Sequence, residues 1–215
     1  MKRPFLQAGS LWSRNLILLA IPVFVFNFGN GLFNGVSTNF YVETMGFDGR
    51  QVLWLAGLRE IPGLALMFVA ALMIKMPLSY RAGLSMIIMG VGYALYAIAG
   101  SFAGLVAVAI AASVGFHLWM PLRNALAMAL APREQSGRVL GAITSVQSFA
   151  SIVGVGAVAL LSVVLSGASL RNYFVIGGAL IVLGAVFLFR LPKTLGAPPR
   201  NERRLLLKRK YWVFY

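Results

Sequence analysis

No cysteine occurs anywhere in the 215 residues, which removes disulfides, thiolate metal sites and cysteine nucleophiles together. One histidine cannot build a His-Glu-x-x-His zinc site. Neither a Gly-x-Ser-x-Gly elbow nor a Gly-rich phosphate loop ending in Lys-Ser/Thr is present. Acidic residues are almost as scarce. Of the five, Glu43, Asp48, Glu134 and Glu202 fall in loops or tails, and only Glu60 sits well inside an apolar run, so a paired-carboxylate mechanism has no second member. The absences argue against an enzyme and call for no cofactor and no metal.

Charge is thin overall: 11% of residues are Asp, Glu, Lys or Arg and 60% are hydrophobic, where soluble domains run near 25% and 45–50%. That composition belongs in a membrane. The formal charge of +14 invites a nucleic-acid reading, but the basic residues gather between the apolar runs, so no nucleic-acid partner is expected. The first run follows Met1-Lys2-Arg3, is longer than a signal-peptide core of about 7–15 residues and contains Asn30 and Asn34. It reads as an uncleaved span.

A bilayer core of about 30 Å takes about 20 residues of helix. Six runs qualify, at about 15–41, 51–74, 81–100, 102–130, 137–165 and 170–191, giving a bundle over 1–192. Connections alternate between nearly uncharged ("VETMGFDGR", "GSFAG", "SGAS") and basic ("KMPLSYR", "APREQSGR" and the C-terminal segment). Of the 19 lysines and arginines, Arg59 and Arg123 lie inside spans and only Arg50 and Arg171 fall on the sparsely charged side. The bias predicts that both termini are cytoplasmic. Residues 193–210 read as a basic cytoplasmic loop, whose 200–210 segment "RNERRLLLKRK" would attract anionic lipids by about 1 kcal/mol per basic residue. The aromatic "YWVFY" at 211–215 reads as the start of a seventh helix.

Polar groups inside the spans are the functional signal. Asn27, Asn30, Asn34 and Thr38 recur at three and four residues and share a helix face. Such a stripe is either hydrogen-bonding glue between helices or the wall of an aqueous cavity. Gly31 and Gly35 form a small-xxx-small pair on another side. Thr144, Gln147, Ser148 and Ser151 repeat the spacing in the fifth run and suggest a second wet wall. Arg59 and Glu60 precede Pro62-Gly63 about 12 Å into the second span, and Arg123 is comparably deep in the fourth. Sequential residues on a helix do not face each other, so Arg59 and Glu60 should each need water or a partner elsewhere. Glu60 with Arg123 makes either a structural ion pair or part of a substrate or proton site. His117 is either a satisfied hydrogen-bonder or a proton relay. The third and sixth spans carry few polar groups and read as lipid-facing or structural.

Gly115 with Pro121 in the fourth span, the loop "APREQSGRVLG" and the "LRNYF" segment, set in this topology, resemble the amino-terminal half of a major facilitator superfamily transporter across essentially the whole chain. The resemblance implies an all-α membrane protein with six transmembrane helices arranged as two three-helix repeats, half of that fold. It also implies a second six-helix half, as another stretch of chain or another subunit, and a small-molecule solute held between the halves. The loop between the second and third spans departs from the family's Gly-x-x-x-Asp-Arg/Lys-x-Gly-Arg-Lys/Arg pattern, reading "AALMIKMPLSYRAG". Position 111 holds Ala where the family often has Arg, and the Gly-Pro pair of antiporters is absent from the fifth span, so proton coupling and drug export are not implied. Asn30, Asn34, Arg59, Glu60, His117, Arg123 and Gln147 are the candidate substrate-binding residues. The expected function is secondary transport of a small organic solute in a bacterial plasma membrane. The alternative is a non-transporting scaffold or assembly factor in which Arg123 pairs permanently with Glu60.

Overall fold

A computed structural model describes residues 11–132, 134–164 and 169–196, and every regular element among them is helical. The basic 200–210 segment and the expected helix start at 211–215 lie outside the described residues. Helix α1 (Arg14–Asn39) opens at Ser13, whose hydroxyl accepts the Leu16 N–H at 3.2 Å, and runs into a π-helical turn over Phe40–Thr44. Next come three short helices, α2 (Gly49–Leu58), α3 (Ile61–Leu64) and α4 (Leu66–Leu72). Asp48 and Gln51 close a reciprocal capping box at the start of α2. The remaining helices are α5 (Leu78–Leu95), extended by a 3₁₀ turn at Tyr96–Ile98, α6 (Phe102–Leu130), α7 (Ser136–Val164) and α8 (Leu170–Phe189).

Five of these stretches are long and apolar enough to cross a membrane. A sixth forms if α2, α3 and α4 are taken as one span, bent by 46° between Leu64 and Leu66. Pro62 explains a separate break upstream of that bend: it has no N–H to give the Leu58 carbonyl, and the ladder is interrupted between α2 and α3 at Arg59–Glu60.

Packing follows an exchange rule. Helix α1 lies against α7 and α8, α6 lies against the second span and α5, and α5 lies against α8. Exchanging the first span with the fourth, the second with the fifth and the third with the sixth returns the same set of neighbours. That is the arrangement of two three-helix repeats. Lipid tails provide no hydrophobic drive between helices, so close backbone approach has to hold them. A Cβ on Gly29 would come within 2.8 Å of the Gly177 carbonyl of α8, one on Gly90 within 2.7 Å of the Gly178 carbonyl, and one on Gly115 within 2.5 Å of the Met89 nitrogen.

At one end of the bundle, aromatic rings fill the space between α1, α5 and α8. Phe33 stacks on Tyr93 with centroids 4.2 Å apart and meets Tyr96 edge-on at 4.9 Å, while Phe174 packs on both Phe33 and Phe40. Arg171 closes this end. Its Nη1 donates to the carbonyls of Ala97 at 2.5 Å and Ala99 at 3.0 Å, and its guanidinium lies 5.1 Å from the Phe40 ring centroid. Those carbonyls follow α5 and have no helical partner of their own, so the arginine supplies what the chain lacks there.

The third span is therefore no lipid-facing accessory. Half of the most apolar window of α5 is buried, whereas α7 buries only 11% of its own. The scarcity of strongly polar groups concealed two tyrosines that face the centre. Gly115→Ala should destabilise the protein by about 1–3 kcal/mol through overpacking against α5. Gly137→Ala, where an added Cβ meets nothing, should be neutral or stabilising by up to about 1 kcal/mol. Thermal unfolding in one detergent compares the pair.

Candidate functional site

The break in the second span creates the site. In an unbroken helix the Gly63 N–H would bond to the Arg59 carbonyl. Here it turns to the Glu60 carbonyl at 2.9 Å and leaves the Arg59 carbonyl without a helical donor. The Ser113 hydroxyl of α6 donates to that carbonyl instead. Inside a bilayer an unsatisfied backbone carbonyl costs several kcal/mol, so this bond fixes the break against α6.

Arg59 caps the end of α2 and Glu60 leads into α3, and at this turn their side chains converge. Arg59 Nε lies 3.3 Å from Glu60 Oε1. The expectation that neighbours in sequence cannot neutralise each other holds for a continuous helix and fails here because the helix stops between them. Glu60 Oε2 also lies 3.2 Å from His117 Nε2. That approach is not aligned as a hydrogen bond, and the Nε2 has no other partner, so the contact is one of proximity. Gly63 makes room for the imidazole: a Cβ there would stand 3.0 Å from the ring.

A cavity of about 100 Å³ opens beside this turn. Asn30, Phe33 and Asn34 line it from α1, Tyr93 and Tyr96 from the third span, and Ala109, Ala112, Ser113 and Phe116 from α6, facing Arg59 and Glu60. The Tyr93 hydroxyl donates to Asn30 Oδ1 at 2.9 Å. That volume is well short of the roughly 300 Å³ or more of a site enclosing an organic ligand. The cavity is one wall of a larger site or no ligand site at all.

The asparagine stripe divides. Asn30 and Asn34 reach the cavity, while Asn27 is buried and donates to the Val23 carbonyl one turn back at 2.7 Å. Thr38 is exposed. The second stripe does not form a wall of this cavity, since Thr144 and Ser148 are exposed on α7 and neither lines it.

Arg123 stands apart. It is 8% exposed, and its Nη1 donates to Gln147 Oε1 of α7. Its Nε and Nη2 both donate to Asn124 Oδ1, at 3.2 and 3.1 Å. Of the two readings of Glu60 with Arg123, the structural ion pair is absent, because Glu60 is held by Arg59 and His117, and Arg123 lies seven residues beyond Phe116, about 10 Å further along α6. The permanent pair required by the scaffold alternative is therefore not there. Two groups result: Asn30, Asn34, Arg59, Glu60 and His117 around the cavity, and Arg123 with Gln147 toward the α6–α7 connection. Sequence reasoning missed Tyr93, Tyr96, Ser113 and the cavity phenylalanines. Only Ser113 carried a signal, one turn before His117 on the same face.

The sequence profile described as Major Facilitator Superfamily matches residues 3–214, nearly the entire chain. The chain belongs to the Major Facilitator Superfamily. Two crystal structures of a bacterial homologue of the human lysosomal transporter Spinster share the superfamily fold with it. The inward-facing, occupied form superposes with a TM-score of 0.62 at 21% identity, covering 89% of this chain and 48% of that one. The inward-facing, unoccupied form gives 0.63 at 19% identity, covering 86% and 43%. The chain thus spans about half the length of these structures. No curated protein matches it closely. With its apolar helices, superfamily membership makes this an integral membrane protein with the fold of one half of a superfamily transporter.

Ser113→Ala should lower stability by about 1–3 kcal/mol, because it strands the Arg59 carbonyl. Ser162→Ala removes only an exposed bond to the preceding turn of its own helix and should change little. Equilibrium unfolding of both variants checks the difference.

Proposed function

We propose that this chain is the amino-terminal half of a secondary active transporter that moves a small organic solute by alternating access, the two halves rocking about a site between them. The observation that carries the reading is the polar cavity at the broken second span, charged, partly enclosed and too small to hold an organic solute unaided. A second six-helix half would supply the opposite wall. Asn30 and Asn34 orient polar atoms of the solute, and Glu60, touched by both Arg59 and His117, is the leading protonatable group. Arg59 and Arg123 are the two cations available to an anionic group, and Gln147 acts with Arg123. On this reading both termini face the cytoplasm of a bacterial plasma membrane, as the bias of basic residues toward alternate connections favours, with the 200–210 segment against anionic lipids.

The absence of cysteine from this chain makes a direct test available. In the assembled transporter, Asn34→Cys should react with an impermeant maleimide added from one side of the membrane, and trapping the opposite conformation should abolish that reaction. Glu60→Gln should reduce solute uptake into vesicles at least about tenfold, the scale of losing one ionised partner in a desolvated site. Uptake unchanged in Glu60→Gln, together with an Asn34→Cys thiol that never reacts, would sink the assignment.

A further inference from the structure

Two arginines lie inside the spans, and their surroundings differ. Arg59 has a carboxylate at 3.3 Å. Arg123, with 8% of its surface exposed, hydrogen-bonds only to the neutral amide oxygens of Asn124 and Gln147. Among the described residues no carboxylate pairs with it. Glu60 is engaged by Arg59 and His117, Glu43 and Asp48 belong to the opposite end of the bundle, and Glu134 lies in the turn beyond α6. Amide dipoles orient a guanidinium but do not cancel its charge, and a cation inside a bilayer calls for a counter-charge.

We infer that Arg123 is the receptor for an anionic group, a carboxylate or phosphate, on the transported solute, and that Gln147 is the neutral placeholder the anion displaces. This deepens the transporter reading and rests on it. The planar guanidinium fork matches the two oxygens of a carboxylate or phosphate, which a single amide oxygen cannot satisfy. Gln147 is also suited to leave. Helix α7 packs mainly on α1 and only slightly on α6, so releasing the Arg123–Gln147 bond disturbs little other packing. Capture of the anion would thereby loosen α7 from α6 at the cytoplasmic end, and recognition and movement would share one hydrogen bond. The group lies about 10 Å along α6 from the cavity, a spacing that lets one solute touch both.

The test uses the assembled transporter in detergent and follows its unfolding temperature against matched probes: inorganic phosphate alone, succinate against succinamide, and glucose 6-phosphate against glucose. At least one anion should raise the unfolding temperature saturably while its neutral counterpart does not. Arg123→Gln should raise the half-saturating concentration at least about tenfold, and Arg123→Lys, which keeps the charge and fills the space without the fork, should give a smaller loss. Gln147→Ala should lower it about threefold, because a competing acceptor has gone. Ser162→Ala, on an exposed face of α7 outside both groups, should leave the anion shift in place, and uptake is measured separately from the shift, so loss of transport and loss of anion binding are separable failures. The inference is overturned if no anion stabilises the wild type, which is the outcome if the second half supplies a carboxylate to Arg123. It is also overturned if neutral probes act equally, if the shift survives Arg123→Gln, or if Gln147→Ala weakens it.

Discussion

Every backbone N–H and C=O within a bilayer must find a partner inside the protein, and the second span meets that requirement by an unusual route. Pro62 interrupts the ladder, the Arg59 carbonyl loses its helical donor, and the Ser113 hydroxyl of α6 takes it up. The arrangement of charges is a consequence. Only because the helix stops at this turn do Arg59 and Glu60 meet, and only because Gly63 lacks a side chain does His117 reach Glu60. A polar bond made to satisfy the backbone thus sets the position of the one acidic group that lies away from the span ends among the described residues.

Close backbone contacts divide the bundle unequally. Helices α1, α5, α6 and α8 meet through glycines that admit no side chain, and the aromatic cluster and Arg171 lock the end at which α8 begins. Helix α7 joins them on one side only: Gly31 and Gly154 bring its backbone against α1, where a Cβ on Gly154 would collide with the Phe28 carbonyl, but most of its remaining surface is uncovered. The second span touches chiefly α6, with no buried residue in α4. The exchange that relates the two three-helix repeats also relates these two peripheral spans. In a bilayer their bare faces need lipid or protein against them.

How much of this could be read from the sequence depended on the range of the interaction. Helical spans follow from local composition, and the deep positions of Arg59, Glu60 and Arg123 follow from counting residues along them. Asn30 and Asn34 were legible because helical spacing alone puts them on one face. Asn27 shares that spacing and was misleading, since it bonds to its own helix. Tyr93 was illegible for the opposite reason: nothing near it in sequence distinguishes it from a lipid-facing aromatic, and its partner Asn30 is 63 residues away. The Arg59–Glu60 contact failed to emerge because the rule that sequential residues diverge presumes a continuous helix. Pro62 was visible, but the break between α2 and α3 is completed by a donor from α6.

Helix α6 is where the two peripheral spans are tied by polar groups. His117 and Ser113 tie the second span to it, and Arg123 ties α7 to it through Gln147. The two ties differ in charge balance. At the second span, Arg59 and Glu60 offset each other before any ligand arrives, so that tie is closed within the protein. At α7, a guanidinium is held by amides alone, so its charge is oriented but not cancelled. A closed tie favours one arrangement of its span whatever the bound state. An open tie has a stronger partner available than the one it holds, because a carboxylate or phosphate accepts two parallel N–H bonds from a guanidinium and carries the opposite charge that an amide oxygen lacks. On the proposed reading, the asymmetry makes α7, rather than the second span, the element whose contact with α6 would respond to an anion.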